Sequence, residues 1–278
     1  EPLSDTYSKD SNRVYMENRV LEDANPATFV IVADQSRKKS EIYTKDNRYV
    51  YYYGEIMEGA DPETFVQIGN IYAKDKNHVY YKNNILKGAD SKTFDMVHFG
   101  HAKDKNNAYY YGKKIEGAEA KTFDIIEPCA FGFSRDNISV YYEDKKLETL
   151  DPKTFEVIDY SYGKDKNGVY YIDYPLDLDI NHIKTEADII TDGKKTYYDN
   201  KELKGINQQE WENLGGGYSK DRDSIYYTGE KIINSDAGSA ETIQESLKEE
   251  CTLNYGWSDH IRDKNYVYYR GKIVEGAD

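Results

Sequence analysis

Apolar and polar positions recur along this chain in one fixed pattern. A basic residue and an aspartate are followed by a short polar run. A small or β-branched residue and two tyrosines come next, then a second polar pair and a single apolar residue. Aligned on its aspartate, the pattern recurs nine times without a gap, at Asp10, Asp46, Asp75, Asp104, Asp136, Asp165, Asp192, Asp221 and Asp263. The fifth residue onward is always tyrosine, from Tyr15 and Tyr51 to Tyr226 and Tyr268, and the sixth is tyrosine everywhere except Met16. The fourth is Val14, Val50, Val79, Ala108, Val140, Val169, Thr196, Ile225 or Val267, and the eleventh is apolar in every copy, as at Leu21, Met57 and Ile115. A basic residue precedes the aspartate in all copies but the one with Thr191. A period of this length identifies a repeat architecture before any other feature is considered. We call the aspartate the anchor, the next two conserved rings the first and second tyrosines, and the aromatic three residues upstream (Tyr7, Tyr43, Tyr72, Phe133, Tyr162, Tyr218) the lead ring.

The pattern translates into elements. Val-Tyr-Tyr is β-branched and aromatic and suits a pleated, half-buried strand. The lead ring marks a second short strand that ends at the Lys-Asp pair. The Asp-Lys-Asn run between them is turn chemistry, because Asp and Asn bond their own backbone and tolerate the left-handed region. These two strands form a tight hairpin. A second polar turn (Asn83-Asn84, Gly112-Lys113, Asp144-Lys145) leads to a third strand ending at the eleventh residue. Gly59 to Phe65 then reads Gly-Ala-Asp-Pro-Glu-Thr-Phe. Asp61 can cap free N–H groups and Pro62 suits a first helical position, so one helical turn is expected, too short to stand alone. Its aromatic (Phe29, Phe65, Phe94, Phe123, Phe155, Trp211) and the aliphatic three later (Val32, Ile68, Val97, Ile126, Ile158, Leu214) would pin it to a neighbour. The expected fold is mainly β: a tandem array of about nine three-stranded antiparallel meanders with short helical turns.

Asp-Lys-Asn-x-Val-Tyr-Tyr stands nearly verbatim at Asp75 to Tyr81, Asp165 to Tyr171 and Asp263 to Tyr269. In this the chain resembles the DKNYY family of bacterial repeat proteins, across almost its whole length. The resemblance implies a bacterial, often exported, repeat protein and carries no catalytic residues. The match weakens where Asp192-Gly193-Lys194 replaces Asp-Lys-Asn, and between Asp173 and Ile190, where the Gly-Ala-Asp-Pro-x-Thr-Phe turn is missing.

One repeat domain is expected over residues 1–278, with units starting near Tyr7, Tyr43, Tyr72, His101, Phe133, Tyr162, Ile189, Tyr218 and His260. Each unit would pack chiefly on its neighbours in an elongated or curved stack, with a closed propeller-like ring as the alternative. The steps between anchors lengthen at Ala33 to Glu41, read as an exposed charged loop, and at residues 235–256. In the latter, SAETIQESLKEE reads as a helix capped by Ser239, with Ile243, Leu247 and Cys251 on one face. Position two before the anchor is usually small (Ser8, Thr44, Ala73, Ala102, Ser134, Gly163, Ser219), which suggests that another layer approaches closely. The two tyrosines point to opposite faces of their strand. One column is therefore core, and the other is either packed under lysine stems or open as a binding surface.

Composition narrows the function. A net charge of −14 argues against nucleic acid and anionic lipid, and no basic stripe exceeds Arg37-Lys38-Lys39. No apolar run is long enough to span a membrane. Disorder, which such a charge would suggest, is countered by the 17 of 29 tyrosines that occupy the two fixed columns. Cys129 and Cys251 have no metal spacing and sit about four repeats apart, so they read as free, buried thiols. His98 and His101 lack further ligands for zinc and read, with His78, His182 and His260, as solvated loop residues. Gly215-Gly216-Gly217 reads as a turn and not as a phosphate cradle. Asp177-x-Asp179-x-Asn181 with Asp188 mimics a calcium loop but has His182 where glycine is needed. No cofactor, metal or catalytic set emerges. The reading is a non-catalytic scaffold or binding module whose partner is a protein or glycan. The alternatives are a glycan-acting hydrolase with its site in Asp173 to Ile190 or Ser235 to Gly256, and a structural spacer.

Overall fold

The computed structural model describes residues 1–33, 41–69, 71–98, 100–126, 132–186, 189–204, 206, 210–243 and 260–276. They form nine small antiparallel sheets, with no closed barrel among them. The third is typical. Tyr72–Lys74 pairs with Val79–Tyr81, which pairs with Asn84–Ile85. On its other side Tyr72–Lys74 pairs with Val66–Gln67, just after the turn that ends at Phe65. Eight sheets carry this fourth strand, which the three-stranded reading did not include. It is often only two residues long, as at Val30–Ile31 and Asp124–Ile125, too short to show an alternating pattern. In the first sheet, Lys9 N–H donates to the Glu1 carbonyl and Pro2 bridges Ser8, so the first residues lie along the same edge.

The described residues group into two compact units that divide between Lys146 and Leu147, with Gly132 grouped in the second. Both are built alike. Within a sheet the lead ring faces the second tyrosine (Tyr72 opposite Tyr81), the small residue faces the first tyrosine (Ala73 opposite Tyr80), and the lysine faces the β-branched residue (Lys74 opposite Val79). Side chains alternate along a strand. The lead ring, β-branched residue and second tyrosine therefore share one face, and the small residue and first tyrosine share the other.

The core clusters among the described residues each draw on two consecutive sheets. In the first unit, Tyr43, Val50, Met57 and Phe65 pack with Ala73 and Tyr80 of the following sheet. Tyr72, Val79 and Phe94 pack with Ala102 and Tyr109. In the second unit, Tyr162, Val169 and Leu176 join Ile190 and Tyr197, while Tyr218, Ile225 and Ile232 join Ile261 and Tyr268. The ring of each helical turn sits in the seam: Phe94 lies 5.3 Å from Tyr72 on one side and 5.5 Å from Tyr109 on the other. The small residue leaves room for it. At Gly163 a Cβ would stand 2.2 Å from Cζ of Phe155.

The helix expected from Ser239 does not begin there. Ala237–Ser239 is a 3₁₀ turn capped by Asp236, and Glu241–Thr242 is a strand paired with Ile261 and Arg262. Asp236 to Ser239 is the repeat's own turn, and completing the ninth sheet overrides local helix propensity. Leu247 and Cys251 lie outside the described residues, as do Cys129 and most of the Ala33 to Glu41 loop. The glycine run does form a turn, with positive φ at Gly215, Gly216 and Gly217 before Tyr218.

The residue after the second tyrosine is left-handed in all nine copies, with φ from 44° at Tyr111 to 57° at Lys82. Where the bond is described, its N–H donates to the carbonyl just before the lead ring, as from Lys82 to Ile71. A β-branched residue is costly in this region, and Ile172 sits there at φ 54°. Ile172→Asn is expected to raise the stability of the second unit by about 1 kcal/mol, read as a higher urea midpoint at unchanged slope.

Candidate functional site

The most developed chemistry in the molecule surrounds the anchor aspartates. Asp75 is 4% exposed. Its Oδ1 accepts from the N–H groups of Asn77 and His78, both at 2.7 Å, and this forms the first hairpin turn. Its Oδ2 accepts the Tyr80 hydroxyl at 2.8 Å and the Asp61 N–H at 2.9 Å. Asp61 belongs to the preceding repeat, so one carboxylate closes its own turn, orients its own tyrosine and caps its neighbour's helical turn. The same four donors converge on Asp46, Asp104, Asp136 and, in the second unit, Asp263.

Both ends of the helical turn are held. Across Asp90 to Phe94, the Asp90 N–H donates to Asp104 at 2.8 Å, and the Phe94 carbonyl accepts from Lys74 Nζ at 2.7 Å. An anion at the start and a cation at the end complement the partial charges of a helical turn. The turn's threonine adds a further tie: Lys76 N–H donates to Thr64 Oγ1 and Lys105 N–H to Thr93 Oγ1, both at 3.1 Å. Lys76 and Lys105 also form ion pairs with Asp61 and Asp90.

These contacts set the ionisation. Burial alone would push the carboxyls up, but the N–H donors and the tyrosine hydroxyl outweigh it and hold Asp46, Asp75, Asp136 and Asp263 below the ordinary carboxylate range. Burial, together with the adjacent anchor, pushes the Tyr51, Tyr80 and Tyr109 hydroxyls well above their usual value and Tyr226 up to about 12.

The two tyrosine columns have different roles. From Tyr51 to Tyr268 the first tyrosine is at most 7% exposed, so this column is core. The second column is half-buried from Tyr52 to Tyr227. Its rings lie on their lead rings, at 5.3 Å for Tyr43 and Tyr52 and 5.6 Å for Tyr72 and Tyr81. The next sheet's second turn covers part of them: at Gly112, with φ 77°, a Cβ would stand 2.4 Å from Cγ of Tyr81. Lead-ring hydroxyls reach across the same seam, from Tyr43 to the Lys82 carbonyl at 2.9 Å and from Tyr72 to the Gly100 carbonyl at 3.0 Å.

Several rings outside the repeat columns stand open, among them Tyr174 and Tyr266. Two of them share one setting: Tyr53 and Tyr111 are 49% and 44% exposed and meet Tyr52 and Tyr110 edge-on at 4.8 Å. Their signal in the sequence is the run Tyr-Tyr-Tyr-Gly at 51–54 and 109–112. A hollow of about 320 Å³ lies nearby, lined by Leu21, Glu22, Asp23, Tyr51, Glu55 and Glu58 among others. It touches neither segment singled out for an enzyme site.

The calcium-like stretch has another role. Asp179 N–H donates to the anchor Asp192 at 2.9 Å, and the Asp179 carboxylate accepts from Asn181 N–H and meets His182 Nδ1. Asp177 pairs with Lys195. Asp177 to Ile183 is thus the repeat's capping turn with a different sequence, and Asp188 lies outside the described residues. No cluster of metal-ligating side chains occurs among the described residues. His101, expected in solvent, is 2% exposed, because its flat imidazole takes the lead-ring position against Tyr110.

Compared with known proteins, the chain matches one family model, the DKNYY family, over residues 1–113, 94–145 and 133–272. No curated protein and no solved structure matches it.

Two results should follow. Asp75→Ala leaves four donors unmatched at a buried seam and should cost at least about 3 kcal/mol, whereas Tyr80→Phe should cost about 1 kcal/mol, both read by urea denaturation. The lowered carboxylates stabilise the fold above their ordinary value and lose that contribution as pH falls through the lowered one. The raised tyrosines stabilise it below about pH 10 and lose that contribution as pH rises further. The tyrosine and anchor contributions should therefore be flat between about pH 5 and 9, with tyrosine-linked unfolding above about pH 10, seen by denaturation across a pH series.

Proposed function

The chain belongs to the DKNYY family, and on that premise we propose that it is a non-catalytic scaffold and binding module exported from a bacterial cell. Its ligand is a protein or a glycan, met by open tyrosine rings beside the second turns. The observation that carries this reading is the exposure of Tyr53 and Tyr111. The fold requires a left-handed residue at both positions but no aromatic one, since Glu17, Lys82 and Glu143 stand there in sister copies. Rings that are open on one side and braced by a second ring present a flat, preorganised surface for sugar faces or apolar side chains. Several such sites on one array would add through effective concentration, so weak contacts suffice. The net charge of −14 disfavours anionic partners.

A second reading, a structural spacer, is favoured by a different observation. Most residues in the repeated columns are engaged in a seam: the anchor, both tyrosines, the lead ring, the small residue and the turn's aromatic. The repeat itself thus serves the architecture, and recognition would rest on the positions between columns.

Arrays of neutral glycans and of proteins, probed with the full chain and with the Tyr53→Ala, Tyr111→Ala double variant, separate the two. The binding reading expects a ligand whose apparent affinity falls at least about tenfold in the variant at unchanged stability. Binding that survives the double substitution refutes the proposed surface, and no binding on either array favours the spacer.

A further inference from the structure

The seam between the fourth and fifth sheets departs from its neighbours at two core positions. His101 stands where Tyr43 and Tyr72 provide the lead ring, and Ala108 where Val50 and Val79 stand. His101 is 2% exposed and Ala108 fully buried. At the two seams just before it the lead-ring hydroxyl bonds a carbonyl of the next sheet's turns, from Tyr43 to Lys82 and from Tyr72 to Gly100. The shorter imidazole makes no such bond, and His101 Nε2 has no hydrogen-bond partner among the described residues.

The ring's surroundings suit only its neutral form. It is hydrogen-bonded to the backbone of His98. It lies 4.6 Å from Tyr110 on the paired strand and 6.1 Å from Phe123 of the helical turn. The titratable groups around it are His98 and Tyr110, with Tyr111, Tyr142, Glu143 and Asp144 beyond, where they act on the Tyr110 hydroxyl. Burial is the largest influence against protonation; the hydrogen bond to the His98 backbone opposes it, and the His98 ring adds to it. A neutral imidazole needs one donor satisfied and leaves a bare nitrogen among apolar atoms at modest cost. Protonation would place a second N–H and a full charge in a space that offers no acceptor among the described residues.

We propose that the seam between the fourth and fifth sheets is an acid-sensitive joint, at which protonation of His101 separates the two sheets while the other seams stay closed. The sign follows from linkage. Burial, the largest cause, holds His101 down at about 4, so the unfolded or opened chain binds the proton more tightly. Stability at this seam is lost as pH falls below the ordinary histidine value, about 6.5, and the loss levels off near the folded value. The lowered anchor carboxylates respond only below about pH 4. Asp159 and Asp199, which burial pushes up, shift stability in the opposite direction and belong to the second unit.

Hydrogen exchange of the full chain at about pH 7 and about pH 5, corrected for the intrinsic rate, tests this directly. Opening is expected to increase by about tenfold or more in residues 101–126 and 132–146, with little change in residues 43–57, and His101→Tyr is expected to abolish the increase. Exchange that rises equally along all seams, or equally in wild type and His101→Tyr, would overturn the joint. If His101→Tyr does not fold, the His101 ring proton shift in the native chain, followed together with exchange at the seam, decides: titration near 6.5, or titration while the seam stays closed, refutes the proposal, and titration well below 6 that coincides with opening of the seam supports it.

Discussion

The structure depends on a buried carboxylate that its own repeat cannot satisfy. An ionised aspartate removed from water must find hydrogen-bond donors, and an isolated one would be prohibitively costly. At Asp46, Asp75, Asp104, Asp136 and Asp263 the anchor finds two in its own hairpin turn and a third in its own tyrosine. The fourth, at Asp46, Asp75, Asp104, Asp136 and Asp263, is a backbone N–H of the preceding repeat. Charge-assisted bonds of this kind are short and strong. The same carboxylate therefore fixes local geometry through Oδ1 and links repeats through Oδ2, while Asp10, in the first copy, makes the bonds within its own repeat.

The apolar chemistry is shared in the same way. A three- or four-stranded sheet with strands of two to four residues cannot enclose a core. Within each unit, a sheet instead contributes a lead ring, a β-branched residue and an apolar third-strand residue to one seam, and a small or aliphatic residue and a tyrosine to the other, as in the seams formed by Tyr43 and Tyr80 and by Tyr162 and Tyr197. Rings such as Phe65, 5.4 Å from Tyr43 and 5.7 Å from Tyr80, are fixed by both sheets. Polar and apolar parts coincide because the tyrosine whose ring fills the seam donates its hydroxyl to the anchor. A chain that is 32% charged and only 38% hydrophobic can fold on these terms because its large apolar groups are rings with a polar tip.

Much of this could be read from the sequence, because periodicity exposes columns, and columns expose which residues are constrained together. The hairpin turn, the capping turn, the close approach at the small residue and one buried tyrosine column were all visible. What the pattern hid has physical causes. The fourth strand is often two residues long and has no alternation to detect. Asp177 to Ile183 does the work of Gly-Ala-Asp-Pro-x-Thr-Phe with almost none of its letters, because the geometry needs a backbone N–H at Asp179 for Asp192 and not a particular side chain. His101 was misread because histidine is usually polar in context, and only the column shows that it replaces a core ring. The segment from Ser239 has helical spacing, yet Glu241 and Thr242 pair into the ninth sheet because a seam outweighs a local preference.

The claim that a repeat completes its neighbour is tested most directly by length. Fragments of one, two, three and four consecutive repeats cut from residues 43–146 can be compared by circular dichroism and urea unfolding. The account predicts that one repeat is unfolded, that two fold weakly, and that each further repeat adds a similar increment as one more seam closes. A single repeat that unfolds cooperatively on its own, with its anchor carboxylate ionised and protected, would contradict it.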